Sequence, residues 1–255
     1  MMDKKKNPIQ VADRLFGAVE YLSAHGASTL TEVSEALGLN KSTMHRVLAS
    51  LEFMDYVTQD PITGKYDLTM KLTELSFRHR QHFDLLQRIH PHLKQLVTAS
   101  GETVHFVKRE GKDAVYIDKA ESDQNQVQMV SRIGSRIPLY RSAVGKAMLA
   151  TLSEDMVEKI WRQSTIERIT PYTITDYEEF LEALVDVRRR GYALDNEENE
   201  PGVRCVAVSL EFMKREAEYA FSISAPIHRM DNDRIKVLSA LILETKKNIQ
   251  EDFNR

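Results

Sequence analysis

Cysteine is almost missing from this chain of 255 residues: Cys205 stands alone, so no disulfide can form within one molecule. A protein without internal disulfides fits a reducing compartment. Long apolar runs are missing as well, and none approaches the roughly 20 residues that cross a bilayer. The charged N-terminal residues are followed by no apolar segment of the kind that signal peptides contain. We therefore expect a cytoplasmic protein.

An excess of positive charge is the third absence. The formal net charge is −3, so any affinity for nucleic acid must come from a local patch and not from the whole surface. Metal-ligand clusters are scarce too, because His79 and His82, or His90 and His92, have no carboxylate or thiol near them in the sequence. Exposed helix histidines explain these positions better. We expect no metal and no cofactor.

The first 55 residues predict three short helices. The first has an apolar stripe with spacings of four, four and three residues, formed by Val11, Leu15, Val19 and Leu22. The second opens on Thr29, and Glu32 three residues later predicts a capping box. Gly38 should end the second helix, and Asn40 is a favourable N-cap for the third.

The third helix lies in the segment LGLNKSTMHRVLASL, residues 37–51, and its two faces differ. The predicted buried stripe consists of Met44, Val47, Leu48, Leu51 and Met54. The opposite face is small, polar and cationic around His45 and Arg46, and no acidic residue lies between Glu35 and Glu52. Two helices joined by a short turn form a helix-turn-helix, whose second helix enters the major groove of DNA. An ordinary surface helix with a polar face is the alternative.

A predicted hairpin after the third helix favours DNA binding. Residues 56–59 and 65–68 alternate as strands do, and DPITG between them has turn chemistry. Helix, helix, helix, hairpin is the order of a winged helix-turn-helix. Hydroxyl, imidazole and cationic side chains on these elements can bond base edges or phosphates. The predicted DNA-binding residues are Thr31, Lys41, Ser42, Thr43, His45, Arg46 and Lys65.

A helical connector follows the hairpin. From Leu68 to Gly101 the apolar spacing is that of a helix, and Pro91 should kink or break it. We place the winged helix-turn-helix domain at residues 1–75, a linker helix region at 76–84 and a second domain at 85–255. The apolar stripe of the connector should pack against the same helix of a second subunit, so a dimer is expected.

The second domain predicts an α+β fold. Strands are expected at residues 103–108, 114–120, 127–133, 205–210 and 219–225, and Asp195 should end another. Helices are expected at residues 142–151, 153–163, 176–190 and 231–250. Strands, then helices, then strands indicate an antiparallel sheet with flanking helices rather than a doubly wound fold.

Three segments of this domain have the composition of a ligand site. In PLYRSAVGKA, residues 138–147, the backbone amides of Ala143 and Val144 open a helix, and such amides suit a carboxylate. The segment GYALDNEENEPGVRCVAV, residues 191–208, supplies Asp195 and an acidic loop. In FSISAP, Ser222 and Ser224 fall on one side of a strand. These groups would suit a small hydroxy acid or keto acid.

Each of these segments also has a simpler explanation. Ser142 can serve only as a helix cap, the paired serines can be buried polar residues, and Cys205 can be a small core residue. Two other functions stay open. The second domain could be an enzyme that uses Cys205 as nucleophile with His105 or Glu197 as base. The winged helix could instead belong to an adaptor that contacts protein.

The sequence resembles the IclR-type bacterial transcription regulators from about residue 8 to residue 250. The segments that carry the resemblance are GLNKSTMHRVLASLE, DPITGKYDLTMKLTEL, SGETVHF, SRIGSRIPLYRSAVGKAMLA, GYALDNEENEPGVRCVAV and FSISAP. The resemblance implies a winged helix-turn-helix, a linker helix and a GAF-like domain for effector binding and oligomerisation. It also implies homodimers, with tetramers among relatives, that bind palindromic double-stranded operators.

The family's effector pocket falls on residues spread over the second domain. These are Met129, Ile137, Ala143, Val144, Asp195, Val203, Cys205, Ser222 and Ser224. Some relatives have leucine where this chain has Gln126, which makes the predicted pocket more polar. SRIGSRIPLY and GYALDNEENEPGVRCVAV are most similar to repressors that sense 2-keto-3-deoxygluconate. The resemblance therefore predicts a repressor of catabolic genes whose effector is a small sugar acid or keto acid, and it predicts no enzyme.

Overall fold

The computed structural model describes residues 7–81, 84–122, 131–212 and 216–253. It divides the chain into two compact units, Met1–Asp84 and Leu85–Arg255. This division falls at the end of the predicted linker region, residues 76–84. Each unit has its own elements and its own apolar core.

The N-terminal unit contains three helices, a hairpin and a fourth helix. The elements are α1 (Gln10–His25), α2 (Leu30–Ala36), α3 (Lys41–Phe53), β1 (Val57–Gln59), β2 (Tyr66–Leu68) and α4 (Lys71–Gln81). The two strands pair antiparallel with Val57 opposite Leu68. The predicted order of a winged helix-turn-helix is confirmed.

Apolar residues from α1, α2, α3 and both strands form the core of this unit. Its buried members are Ala18, Leu22, Val33, Met44, Val47, Leu48, Leu51, Val57 and Tyr66. The stripe predicted on α1 is wrong at its first position, because Val11 is 56% exposed. That residue lies in the first turn of α1, outside the core cluster, while Ala18 and Leu22 occupy the buried face. Helical spacing predicts which face of a helix is buried, but it does not predict how many turns of that face the core covers.

The ends of α2 and α3 are fixed by side chains. The Glu32 amide donates to Thr29 Oγ1 and the Thr29 amide donates to Glu32 Oε2, which is the predicted capping box. The Thr43 amide donates to Asn40 Oδ1 at 2.8 Å, so Asn40 caps α3 as predicted. At the other end of α3, Lys71 Nζ donates to the Met54 carbonyl at 2.6 Å. The first turn of α4 is thereby bonded to the end of α3.

The C-terminal unit is built around one antiparallel sheet. Its strands are β3 (Thr103–Glu110), β4 (Asp113–Ala120), β5 (Arg136–Pro138), β6 (Ala193–Asn196), β7 (Val203–Leu210) and β8 (Tyr219–Pro226). Their order in the sheet is β5-β4-β3-β8-β7-β6. The helices of the unit are α5 (Asp84–Ser100), α6 (Ala143–Leu149), α7 (Glu154–Gln163), α8 (Tyr177–Arg190) and α9 (Asn232–Phe253), with 3-10 turns at Leu139–Arg141 and Ile227–Arg229. The predicted α+β class is confirmed.

Three details of these elements differ from the expectations or lie partly outside the described residues. The strand predicted at 127–133 falls largely outside the described residues, and residues 131–133 are not strand. The short strand β5 was missed because three residues are too few to show alternation; it pairs with β4 through Ala114 and Ile137. Of the predicted kink or break at Pro91, the break does not occur, since α5 continues through this residue. Pro91 lies on the exposed side of α5, while Ile89 and Leu93 hold the buried side in the core.

Helix α6 packs unusually close to the backbone before it. A Cβ atom on Gly145 would lie 2.1 Å from the Leu139 carbonyl oxygen, which is far inside contact distance. The Ser142 hydroxyl donates to the Pro138 carbonyl at 2.9 Å and accepts from the Gly145 amide at 3.2 Å. A glycine at 145 therefore allows the N-terminal end of α6 to sit on the 3-10 turn Leu139–Arg141.

Candidate DNA-binding surface and effector cavity

The outward face of α3 is polar, cationic and open to solvent. Lys41, Ser42, His45 and Arg46 are exposed, whereas Met44 on the opposite side is fully buried. The helix carries no acidic residue in its first turn. A cationic helix face without carboxylates can approach the phosphate backbone without repulsion and place side chains at base edges.

The remaining residues predicted to bind DNA surround this face less uniformly. Ser42 Oγ donates to Asn40 Oδ1 at 3.0 Å, so its proton is engaged while its oxygen stays available as an acceptor. Thr31 and Thr43 are only half-exposed. Lys65 is exposed just before β2. Its ammonium lies near Glu32: hydrogen bonds from Thr29 lower the pKa of the Glu32 carboxyl, and the charge of Lys65 lowers it further.

In the C-terminal unit, a cavity of about 50 Å³ lies against one face of the sheet. Strand register brings its polar side chains together. Asp195 on β6 is opposite Cys205 on β7, and Cys205 is opposite Ser224 on β8. Ser222 on β8 is opposite His105 on β3. Residues opposite each other across antiparallel strands share a face, so these five side chains all face the cavity.

A chain of hydrogen bonds forms one wall of the cavity. His105 Nε2 lies 2.6 Å from Ser131 Oγ, and Nδ1 lies 3.3 Å from Ser224 Oγ. Ser224 Oγ lies 3.5 Å from Ser222 Oγ. Burial, together with the charge of Lys119, lowers the pKa of His105 to about 3. The imidazole is therefore neutral at physiological pH, with one nitrogen as donor and the other as acceptor.

A β-bulge adds Tyr116 to the same wall. The pairing of β3 with β4 shifts between Phe106 and Val107, so that Val107 lies opposite Tyr116 instead of Ile117. The Tyr116 ring meets the His105 ring edge to face, with centroids 5.1 Å apart. Burial raises the pKa of the Tyr116 phenol, which therefore stays a hydroxyl.

The opposite side of the cavity is formed by α6 and the loop after β6. Ala143 and Val144 at the first positions of α6 line it. In the loop, the amides of Glu198 and Asn199 donate to Asp195 Oδ1 at 2.8 and 3.3 Å. Burial, followed by the charge of Glu198, raises the pKa of Asp195 from 3.8 to about 7.

A buried ion pair supports that loop. Lys146 Nζ on α6 donates to Glu198 Oε1, and both side chains are almost fully buried. The Thr173 hydroxyl also holds the loop by donating to the Glu198 carbonyl at 2.7 Å. The Lys146 ammonium is bonded to Glu198. Among the described residues, no cation is bonded to the carboxyl of Asp195.

Eight of the nine predicted effector-binding residues line this cavity. They are Ile137, Ala143, Val144, Asp195, Val203, Cys205, Ser222 and Ser224, whereas Met129 and Gln126 lie outside the described residues. Their part in effector binding stays a prediction. The cavity is also lined by His105, Tyr116, Ser131, Ser142, Asn199 and Glu200, which were not among the predicted site residues. His105 lies on β3 and Tyr116 on β4, and only the pairing register of these strands shows that both side chains face the cavity.

The alternative function, an enzyme that uses the Cys205 thiol, finds no support in this cavity. Burial raises the pKa of the Cys205 thiol, with the charge of Asp195 adding to the rise, so the reactive thiolate is disfavoured. His105 bonds two serines in place of the thiol, and Glu197 accepts from the Gly202 amide at 2.9 Å. No nucleophile–base pair of the kind proposed for an enzyme is assembled among these residues.

His90 and His92 are not the exposed helix histidines that the sequence predicts, because both are partly buried and each is bonded to an aspartate. His90 Nδ1 lies 2.6 Å from Asp118 Oδ2, and His92 Nε2 lies 2.7 Å from Asp252 Oδ2. Within the described ranges, no group of three or more metal-ligating side chains is found. Over the same ranges, none of the helices has both the length and the apolar composition that crossing a membrane requires.

Comparison with known families bears on both units. Residues 11–61 match the IclR helix-turn-helix domain, and residues 78–251 match the family described as bacterial transcriptional regulator IclR C-terminal. The chain belongs to the IclR family of transcriptional regulators. The cationic helix and the cavity therefore lie in the two domains from which IclR regulators are built.

Individual relatives agree with this assignment. The chain is 35% identical to the HTH-type transcriptional regulator KdgR of Escherichia coli, over 94% of this chain and 91% of the relative. It is 34% identical to the DNA-binding transcriptional repressor YiaJ of the same organism, over 99% and 94%. An IclR homologue from Microbacterium hydrocarbonoxydans complexed with 4-hydroxybenzoate has the same fold, with a TM-score of 0.82 and 21% identity over 96% and 99% of the chains.

Proposed function

We propose that this IclR-family regulator is a repressor of catabolic genes that responds to a small sugar acid or keto acid in the bacterial cytoplasm. The observation that carries the proposal is the pairing of an exposed cationic α3 with a small polar cavity in the other unit. The repressor role is supported by the similarity to the transcriptional repressor YiaJ. The acid class is supported by the resemblance of SRIGSRIPLY and GYALDNEENEPGVRCVAV to repressors that sense 2-keto-3-deoxygluconate.

DNA binding is assigned to the exposed face of α3 and to the hairpin. In this proposal His45 and Arg46 contact base edges, and Lys41, Ser42, Thr43, Thr31 and Lys65 contact phosphates or the groove edge. A homodimer would place two such helices in half-sites of a palindromic operator, separated by one or more helical turns of about 34 Å.

Dimer formation is assigned to α4. Leu75 and Phe77 on this helix are 40% and 62% exposed, and apolar side chains so open to water favour contact with another surface. Pairing of dimers into tetramers through the C-terminal units is part of the same proposal. Sedimentation velocity on the full chain, with and without operator DNA, measures both states.

The effector is assigned to the cavity beside α6. All five of the following residues line the cavity. In this proposal the amides of Ala143 and Val144 bind the carboxylate, and Ser222, Ser224 and Asp195 bond the hydroxyl or keto oxygens. An effector that changes operator affinity must bind one arrangement of the dimer better than another.

One experiment tests the proposal as a whole. Duplexes selected from a random library are footprinted, and 2-keto-3-deoxygluconate, pyruvate and D-gluconate are added in turn. We expect a protected palindrome that one of these acids weakens or abolishes. Binding that does not depend on salt would instead favour an adaptor that contacts protein, because counterion release gives true DNA binding a steep salt dependence.

A further inference from the structure

The charge balance of the cavity does not match an anionic effector. Asp195 and Glu200 both line it, and the described lining includes no lysine or arginine. The segment 123–130, DQNQVQMV, contains no lysine or arginine either. An acid anion entering this cavity would therefore meet carboxyl groups without a cation between them.

Asp195 is the buried one of these two carboxyls. Its side chain is 4% exposed, so water cannot screen it. Oδ1 accepts from the amides of Glu198 and Asn199. The Asp195 side chain lines the cavity, and its Oδ2 makes no hydrogen bond with any residue that the structure describes. One oxygen of Asp195 is thus held in place while the other is available to a ligand.

The groups around Asp195 favour its neutral form. Glu198 on the loop adds negative charge, while Cys205 on β7, Tyr116 on β4 and His105 on β3 are all neutral. Lys146 on α6 is bonded to Glu198, and Glu200 is the second carboxyl that lines the cavity. Burial, followed by the charge of Glu198, raises the pKa of Asp195 to about 7 before any ligand is present, although Lys146 and the amides bonded to Oδ1 act in the opposite direction.

We propose that Asp195 binds an acidic effector in its protonated form and donates its hydrogen bond from Oδ2, so that above neutral pH each effector anion is bound together with one proton. This inference rests on the proposed function, since it concerns the same cavity. The step balances: the buffer or water gives up one proton, an O–H bond forms at Asp195 Oδ2, and the effector anion itself keeps all its covalent bonds. The effector class is thereby a monocarboxylic acid anion and not a neutral amide or an amine.

The direction of the pH dependence follows from the protonation state. Below about pH 7 the carboxyl of free Asp195 already carries the proton, so the effector Kd should be flat. Above that pH the proton must be taken up on binding, and Kd should rise about tenfold per pH unit. The negative charge of the effector raises the pKa of Asp195 further in the complex, which extends this range upward.

The test is isothermal titration calorimetry of the full chain with 2-keto-3-deoxygluconate, pyruvate and D-gluconate. Titrations at pH 5.5 and 8 are repeated in two buffers of different ionisation enthalpy, which gives the number of protons bound per effector. We expect close to one proton taken up at pH 8 and close to none at pH 5.5. Asp195→Asn should remove both the proton uptake and the pH dependence of Kd, because an amide donates at any pH.

Glu200→Gln is the matched control, because Glu200 lines the same cavity and is exposed. It should retain the uptake of one proton at pH 8. Uptake that is lost in Glu200→Gln and retained in Asp195→Asn would overturn the assignment to Asp195. Binding of an acid without linked protons, or tighter binding of gluconamide than of gluconate at pH 8, would overturn the inference alone. Failure of every acid to bind at either pH would overturn the proposed function with it.

Discussion

In the N-terminal unit most candidate binding side chains lie exposed on α3, whereas in the C-terminal unit they line a cavity and come from six strands, α6 and a loop. Lys41, His45 and Arg46 need only their own helix to be placed correctly. His105, Asp195 and Ser224 need the register of the whole sheet. The first arrangement suits a long polyanion that is read from outside. The second suits a small molecule that must give up its water.

The largest expected difference concerns ion pairs. Lys146→Met should cost about 3–5 kcal/mol of unfolding free energy, since it leaves Glu198 charged, buried and unpaired. Lys236→Met, which removes the exposed pair with Asp233, should cost less than about 1 kcal/mol. Urea unfolding followed by Trp161 fluorescence measures both, because the only tryptophan lies in this unit.

A double variant sharpens that result. Lys146→Met with Glu198→Leu replaces both charges by apolar groups and should recover most of the lost free energy. If the single and double variants are equally destabilised, the cost comes from packing and not from an unpaired charge.

Two helical glycines offer the next comparison. Gly145→Ala should destabilise the C-terminal unit by about 3 kcal/mol, because the new methyl meets backbone of Leu139. Gly17→Ala in α1 should be neutral or stabilising by up to about 1 kcal/mol, since its methyl meets only the flexible Leu37 side chain at 3.3 Å. Thermal unfolding followed by circular dichroism compares the two. Equal losses would contradict the close approach of α6 to the turn before it.

Removing one guanidinium tests the exposed surface. Arg46→Ala should weaken specific operator binding by about 1–3 kcal/mol if Arg46 contacts a base. Arg162→Ala, an equally exposed arginine on α7, is the control and should leave operator affinity as it is. Fluorescence anisotropy at fixed salt measures both. An unchanged Kd and footprint for Arg46→Ala would remove this residue from sequence recognition.

The smallest expected effect is the net pH slope of the unchanged protein, because Asp195 and His105 give opposing slopes within the cavity. Asp195 has a raised pKa, so its contribution to stability is complete below pH 3.8 and is lost as pH rises toward 7. His105 has a lowered pKa, so it costs stability as pH falls from 6.5 toward 3. The two contributions oppose each other between about pH 4 and 6.5, each with a slope on the order of 1 kcal/mol per pH unit.

Single variants separate the two slopes. Asp195→Asn should leave a protein whose stability rises with pH in this range, and His105→Gln should leave one whose stability falls. Urea midpoints at pH 4.5 and 6.5, again followed by Trp161, give the sign of each. Slopes of the same sign in both variants would show that other groups dominate.

The comparison also explains what the sequence could and could not predict. The face of α3 follows from the spacing of Met44, Val47 and Leu48, because a helix places residues three and four apart on one side. The buried stripe predicted for α1 was wrong only at Val11, which is exposed. For the cavity, residue types alone did not bring Asp195 next to Cys205 and Ser224. Residue types predicted Asp195, Ser222 and Ser224 as ligand-binding residues, and the family resemblance added Cys205. Neither supplied Tyr116, and His105 was considered only as the base of an enzyme.

Physical reasons explain why the sequence alone does not predict all the residues that line the cavity. Strand pairing joins residues far apart in the chain, so the partner of His105 cannot be found from local pattern. Tyr116 faces the cavity only because of a bulge in β4, and one extra residue leaves no clear mark in the sequence. The break expected at Pro91 was overruled by packing of the buried face of α5.

The row formed by Asp195, Cys205 and Ser224 has a consequence for how this protein can change over time. Deleting a single residue within β7 would turn Cys205 and every later side chain of that strand to the other face of the sheet. Insertions and deletions should therefore be tolerated in loops but not inside these strands. New ligand preferences should arise by exchanging side chains at fixed positions, while the length of each strand stays constant.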